Sequence, residues 1–301
     1  MSTIRLVELG PRDGLQNEKI TLSVEMRVQF IEKLIECGMR NIETGAFVSP
    51  RWVPQMAKSS EVLTNLRAKQ KMGEIPQSIR LLNLVPNLKG LEEALKSGVQ
   101  EIAVFTAASE TFSKKNTNAT IKESLIRIEE VINIAKKNKL KIRGYISTCW
   151  YCPFEGKIAE SKVLKLAEKL HDLGVYEVSV GDTIGAATPN KVRSLNKKLI
   201  KSIGVKNLAM HFHDTRGTAL ANILASLDMG IRAFDSSLGG LGGCPYAPGA
   251  AGNVATEDVV YMLHGMGFKT GYDLEKLQEV NKWAGPLLGR KLHGAHPFKS
   301  A

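Results

Sequence analysis

Residues 4–18 read "IRLVELGPRDGLQNE": an apolar, β-branched run that breaks into a Gly-Pro turn. In an open, doubly wound α/β sheet, this first strand-to-helix turn carries a phosphate-binding G-x-G-x-x-G. The turn "GPRDGLQNE" (10–18) has no such spacing and sets Arg12 beside Asp13 instead. The fold then depends on how often the strand–turn–helix unit recurs. Comparable runs occur at 40–47 (RNIETGAF), 81–86 (LLNLVP), 101–107 (EIAVFTA) and 141–148 (KIRGYIST). Three more follow at 176–182 (YEVSVGD), 207–214 (NLAMHFHD) and 232–240 (RAFDSSLGG). Between them lie helical periodicities, such as Val28, Ile31, Leu34 and Ile35, stopped by Gly38. In "ATPNKVRSLNKKLIKSIG" (187–204), Thr188 is placed to cap, Pro189 takes the first helical position and Gly204 ends the helix. Uninterrupted β-α units of this kind predict an α/β protein, a closed (β/α)8 TIM barrel. Residues from about 254 on read as helices forming a C-terminal extension over the barrel. No Ser/Pro-rich linker or low-complexity run divides the chain, so 1–301 reads as a single catalytic domain with its core at about 4–253.

With 301 residues, 43% hydrophobic and 24% charged, the chain has the composition of a soluble globular protein that buries a large core. Its apolar stretches are shorter than a membrane span, and it enters "IRLVELG" too early for a signal or transit peptide. Four cysteines in so long a chain make no disulfide framework, and a reducing, cytoplasmic setting is expected. The formal charge of +11 suggests an anionic partner. The lysines are spread over helical faces without an aromatic-studded stripe, so a phosphorylated or carboxylated metabolite is favoured over nucleic acid. A homodimer through the outer helices is expected.

Catalytic groups of a TIM barrel sit where strands end at the carboxyl face. Those positions hold Arg12 and Asp13 after the first strand, Glu43 on the second, Asp182 and Thr183 after the sixth, and His211 and His213 on the seventh. In "LAMHFHDTRG" (208–217), strand alternation points Leu208, Met210 and Phe212 one way and Ala209, His211 and His213 the other. Two imidazoles on one face can bind one metal ion; alternatively they are core residues with ordinary hydrogen bonds. Asp13 would complete a three-ligand set with open positions, which suits Mg²⁺ or Mn²⁺ and leaves Zn²⁺ open. Arg12 would then direct positive charge at an oxyanion, unless Arg12 and Asp13 are a surface ion pair. Glu8, Arg143 and Glu177 fall within strands and read as an internal salt-bridge layer, and Glu43 either joins that layer or orients Arg12.

The segment "SLGGLGGCPYAPGAAGNVATED" (237–258) is a glycine-rich loop able to approach a ligand and to move. It offers Cys244 as proton donor or nucleophile and Asn253 as a neutral metal ligand. At its end Thr256 is placed to cap a helix, with Glu257 and Asp258 complementing the helix's positive end. The lone C-x-x-C at 149–152 lacks a second pair, and His171, His264, His293 and His296 read as surface or packing residues.

Together, "VELGPRDGLQNE", "IETGAFVSPRWVPQM", "GDTIGAATP", "HFHDTRGTALAN" and "GLGGCPYAPGAAGNVATED" resemble the hydroxymethylglutaryl-CoA lyase family, in order along nearly the whole chain. The resemblance implies a carbon–carbon lyase that cleaves 3-hydroxy-3-methylglutaryl-CoA to acetyl-CoA and acetoacetate, in leucine degradation and ketone-body metabolism. It implies Mg²⁺ or Mn²⁺ held by Asp13, His211 and His213 with Asn253 alongside, Arg12 stabilising an enolate and Cys244 serving catalysis. Glu43 and Asp182 fall on active-site positions of the family, with Gln16 and Thr183 near them. The CoA phosphates would give the basic charge a use, with Lys19, Lys114 and Lys115 at loop positions. The chain departs from the mammalian pattern at Gly45-Ala46, which stand where that pattern has Thr-Ser. A lyase of a longer-branched 3-hydroxyglutaryl-CoA is therefore an alternative. A Claisen-condensing synthase of the same superfamily is another, although such enzymes lack the Cys-Pro-Tyr loop.

Overall fold

The computed structural model describes residues 3–243 and 252–294. Eight parallel strands close into a barrel in chain order. They are β1 (Arg5–Glu8), β2 (Asn41–Ala46), β3 (Arg80–Leu84) and β4 (Glu101–Ala107), then β5 (Lys141–Ser147), β6 (Glu177–Asp182), β7 (Leu208–Phe212) and β8 (Ala233–Ser236). Each expected strand forms, shortened mainly at its ends. The helices between them are α1 (Val24–Glu36), α2 (Ser59–Met72) and α3 (Leu88–Lys96), followed by α4 (Glu110–Thr117) and α5 (Ile121–Lys137). Three more, α6 (Glu160–Asp172), α7 (Pro189–Ile203) and α8 (Ala219–Asp228), precede β8. Beyond β8, α9 (Thr256–Gly265) packs against α8 as the eighth helix of the ring, and α10 (Leu274–Leu287) packs on α9 and α1. Among the described residues no helix is long and apolar enough to cross a membrane.

The helices start and stop for local reasons. The Ser23 hydroxyl accepts from the Met26 amide to begin α1, which then buries Val24, Val28, Ile31 and Leu34 at helical spacing. Gly38 follows α1 at φ +93°, where a Cβ would lie 2.2 Å from the Gly271 carbonyl oxygen. The segment before α10 is thereby held against the foot of the barrel, and the Tyr272 hydroxyl accepts from the Leu6 amide. Thr188, Pro189 and Gly204 bound α7 as expected, although the Thr188 hydroxyl bonds Asn190 rather than the helix backbone.

Strand alternation splits the buried residues into two layers. The large apolar core lies between the outer strand faces and the helices. Inside the barrel, Val7, Leu9 and Leu82 form a small apolar cluster of their own. Charge fills much of the rest. Arg143, with no exposed surface, donates through Nε to Glu177 (2.8 Å), through Nη2 to Asp235 (2.7 Å) and through Nη1 to the Tyr145 hydroxyl (2.7 Å). Arg5 reaches Glu177 from below. The expected salt-bridge layer therefore exists around Arg143 and Glu177, with Asp235 as an unforeseen member.

Glu8 is not part of it. It sits one residue from Val7, so the two-residue period turns it outward, away from every cation of the layer. Its carboxylate accepts from the Gly10 amide (2.8 Å), the Leu238 amide (2.8 Å) and the Thr256 hydroxyl (2.6 Å). Thr256 is accordingly not the cap of α9, whose cap position is Ala255. Glu257, fully buried, accepts from the Gly239 amide (2.8 Å) and the Asn281 side chain (2.6 Å) instead of facing solvent at the helix end. Burial pushes Glu8 up to about 7 and Glu257 up to about 8, the second also raised by the first.

Two outcomes follow from these buried charges. Arg143→Met leaves Asp235 and Glu177 without their shared partner and should cost about 3–5 kcal/mol in urea unfolding; a cost under about 1 kcal/mol would mean the layer is solvated. Glu8 and Glu257 bind protons more tightly folded than unfolded, so their contribution is full below the ordinary carboxylate range. It is lost as pH rises through about 7 and about 8. The melting temperature should fall across pH 5–9 from this source, and Glu8→Gln with Glu257→Gln should flatten that slope.

Candidate active site

At the carboxyl mouth of the barrel lies a cavity of about 290 Å³ whose wall includes Arg12, Asp13, Gln16, Thr183, His211 and His213. The turn after β1 winds into a single wide helical turn, Gly10–Gly14, a geometry frequent at functional sites. Gly14 lets this turn touch the segment after β8: a Cβ there would meet Leu241 Cβ at 2.8 Å and Ser237 Oγ at 2.9 Å. That approach puts Asp13 against Asn253, whose Nδ2 donates to Asp13 Oδ2 at 2.8 Å.

Arg12 is fixed from two sides. Its Nε donates to Glu43 Oε2 at 2.7 Å, Nη2 lies 2.6 Å from the same oxygen, and Nη1 donates to Asp13 Oδ1 at 2.7 Å. Arg12 and Glu43 are both buried, which makes this no surface ion pair, and Glu43 is the residue that orients Arg12. Burial alone would disfavour the guanidinium charge, but Glu43 and Asp13 outweigh it and hold the cation firmly protonated. The Tyr145 ring lies between two cations, 5.9 Å from the Arg12 guanidinium and 4.8 Å from that of Arg143.

Asp13, His211 and His213 offer donor atoms that all lie within 4.8 Å of one another. Against the cost of burial, Arg12 and the two imidazoles hold the Asp13 carboxyl down at about 2, so it is an anion. His213 is pulled down to about 3 by burial and by the neighbouring His211, so its ring is neutral. Its Nδ1 is buried without a hydrogen-bond partner in the structure. A carboxylate and a neutral imidazole with an orphaned nitrogen are the donors a divalent cation takes, and the residues fit such an ion.

Strand parity separates the expected site residues. Thr183 continues the inward parity of Ser179 and Gly181 and reaches the cavity, where its hydroxyl accepts from the Thr148 amide at 2.8 Å. Asp182 faces outward and accepts from the Ala186 (3.0 Å) and Ala187 (2.8 Å) amides, bracing the loop behind the wall. Lys19 is exposed and does not line the cavity, while Lys114 and Lys115 belong to α4. Cys244 and His296 lie outside the described residues. Gly45 and Ala46 also miss the cavity: a Cβ on Gly45 would strike Ser59 Oγ at 2.6 Å, and Ala46 joins the outer core. The departure there reflects packing against α2, and no hydroxyl is lost from the cavity wall.

Sequence reading missed Tyr145, Ser179 and Asn17 on the wall, and Asp235 beneath it. Their signal was present in the alternation: Asp235 is registered with His211 across β8 and β7, and Tyr145 with Ser179 across β5 and β6. An apolar wall of Val48, Val53, Leu84, Phe105 and Phe112 completes the cavity.

The chain is similar to proteins of known activity over almost its whole length. It is 49% identical to hydroxymethylglutaryl-CoA lyase of Pseudomonas mevalonii, over 96% of this chain and 94% of that protein. The crystal structure of hydroxymethylglutaryl-CoA lyase from Pseudomonas aeruginosa superposes with a TM-score of 0.90 at 48% identity, covering 96% of this chain and 94% of that one. An HMG-CoA lyase from Acinetobacter baumannii, solved with coenzyme A and 3-methylmalate, gives a TM-score of 0.91 at 34% identity, covering 99% and 97%. The HMGL-like family model matches residues 3–283, the stretch that carries all eight strands and the cavity just described, and the chain belongs to that family.

Proposed function

We propose that this chain, as one catalytic domain, cleaves 3-hydroxy-3-methylglutaryl-CoA to acetyl-CoA and acetoacetate. The observation that carries this reading is the Asp13–His211–His213 donor set beside an arginine anchored by Glu43, on the wall of one cavity. Its cofactor is Mg²⁺ or Mn²⁺, held by Asp13, His211 and His213 with Asn253 alongside. When bound, such a cation supplies acidification of the substrate's tertiary hydroxyl.

The chain's own groups account for the remaining requirements. Asp13 on the cavity wall takes the hydroxyl proton, and His211 beside it would serve through its ring nitrogen as a ligand of the cation. As the carbon–carbon bond breaks, electrons flow toward the thioester carbonyl, and the fixed Arg12 guanidinium stabilises the enolate oxygen. Glu43 keeps Arg12 from swinging onto Asp13 alone, and Asp182 acts through the loop it braces. Gln16 and Thr183 bind the acyl group at the wall, and Lys19 contributes charge for the CoA phosphates from outside the cavity. Cys244 protonates the departing carbon; Gly243, next to it in sequence, lines the cavity. The apolar wall fits the methyl-bearing end of the acyl chain. The net charge of +11 serves CoA rather than nucleic acid. The same reading places the enzyme in leucine degradation and ketone-body metabolism, in the cytoplasm, as a homodimer.

The test is acetoacetate release from 3-hydroxy-3-methylglutaryl-CoA, followed with added Mg²⁺ or Mn²⁺ and again with chelator. Release should require the metal, and Cys244→Ala should lower it by about 10²–10⁴-fold, the contribution of a positioned acid. A folded protein that releases nothing with metal present would overturn the substrate. Turnover of a longer-branched 3-hydroxyglutaryl-CoA in preference would transfer the reading to that acyl group.

A further inference from the structure

One buried carboxylate under the cavity is held more rigidly than packing alone requires. Asp235 and His211 are register partners on β8 and β7, so both side chains project into the barrel on the same level. His211 Nδ1 lies 3.4 Å from Asp235 Oδ2. That same oxygen accepts from Ser179 Oγ at 2.7 Å, and Oδ1 accepts from Arg143 Nη2 at 2.7 Å. Arg143 is in turn fixed by Glu177 and Tyr145. The carboxylate's residue has 2% of its surface exposed, and the group cannot rotate without breaking one of these contacts. His213 contrasts with this: its ring sits 5.2 Å from that of His211, yet its own Nδ1 has no partner. One imidazole of the pair has a buried carboxylate beside its Nδ1, and the Nδ1 of the other has no partner.

We propose that Asp235 is a positioning residue that fixes the tautomer and ring plane of His211, holding the proton on Nδ1 and leaving the Nε2 lone pair for the cation. An imidazole that donates Nδ1–H to a carboxylate must keep its lone pair on Nε2, and such outer partners make a histidine a better ligand. Arg143 and Ser179 select which carboxylate oxygen faces the ring, and Glu177 holds Arg143 in place. The interior salt-bridge layer thus serves the site above it and not stability alone. The inference rests on the divalent-cation reading given above.

Asp235→Asn separates this role from a purely structural one. Arg143 can only donate, so it should keep the carbonyl oxygen of the new amide and turn the amide NH₂ toward His211. The ring would then have to accept at Nδ1 and carry its proton on Nε2, the wrong tautomer for a ligand. In long-range ¹H–¹⁵N spectra of the metal-free full chain at pH 8, wild type should show His211 protonated at Nδ1 and the variant at Nε2. Calorimetric titration with Mn²⁺ alone should give affinity about 10–100-fold weaker in the variant, the usual effect of losing such a partner. An unchanged tautomer together with Mn²⁺ affinity within about twofold of wild type would overturn the proposal, whatever the variant's melting temperature. Wild type that binds no Mn²⁺ would overturn the cation reading itself, while the tautomer would still decide the role of Asp235. If Asp235→Asn does not fold, Ser179→Ala carries the test. Freeing Oδ2 should weaken Mn²⁺ binding a few-fold and shift the His211 resonances, and no change in either would overturn the proposal.

Discussion

A guanidinium with no exposed surface occupies the inside of this barrel, and much of the molecule is arranged to make that tolerable. Arg143 takes Glu177 from β6, Asp235 from β8 and the Tyr145 hydroxyl from its own strand as partners. A buried cation left unpaired would be strongly destabilising, so the positions of β5, β6 and β8 relative to one another are constrained by charge as well as by packing. The separate apolar cluster described inside the barrel is small, Val7, Leu9 and Leu82. Hydrophobic stabilisation has moved to the layer between strands and helices, where the large core lies.

This exchange explains how the site is held in place from beneath. Arg12 is oriented by Glu43, His211 faces Asp235, and Tyr145 links the two ionic groups by lying between Arg12 and Arg143. Arg12 and His211 are therefore each set by a second buried group. Electrostatic preorganisation of this kind keeps donors aimed before a substrate arrives, because a buried second group sets their direction. The close approach of Gly14 to Leu241 adds the remaining element, joining the first and last strands of the barrel so that Asp13 and Asn253 meet.

Strand parity sorted the residues that sequence had grouped by type. Glu8, Arg143 and Glu177 are all charges within strands, yet Glu8 faces the helices and answers to amides and a hydroxyl, while the other two form an ion pair. Asp182 and Thr183 are neighbours in "GDTIG", and only Thr183 reaches the cavity. The eight strands were legible because short apolar runs alternating with helical spacing leave few other arrangements. The helix boundaries around α7 were legible because Pro and Gly act locally. Tyr145, Ser179 and Asp235 follow the same alternation, but their partners are set by strand register, which no local feature of an apolar run fixes.

By itself the sequence determined the barrel, the strand ends that bear chemistry, and the identity of Arg12, Asp13, His211 and His213 as the polar groups gathered there. These depend on periodicity and on turn residues, which act over a few positions along the chain. Tertiary structure alone decided which carboxylate faces which cation or amide: Glu43 with Arg12, Asp235 between Arg143 and His211, and Glu257 with Gly239 and Asn281. Such pairings are set by strand register and by the inward or outward turn of each side chain as the barrel closes. Arg143 and Asp235 lie 92 positions apart, a separation over which no local preference of the chain can act.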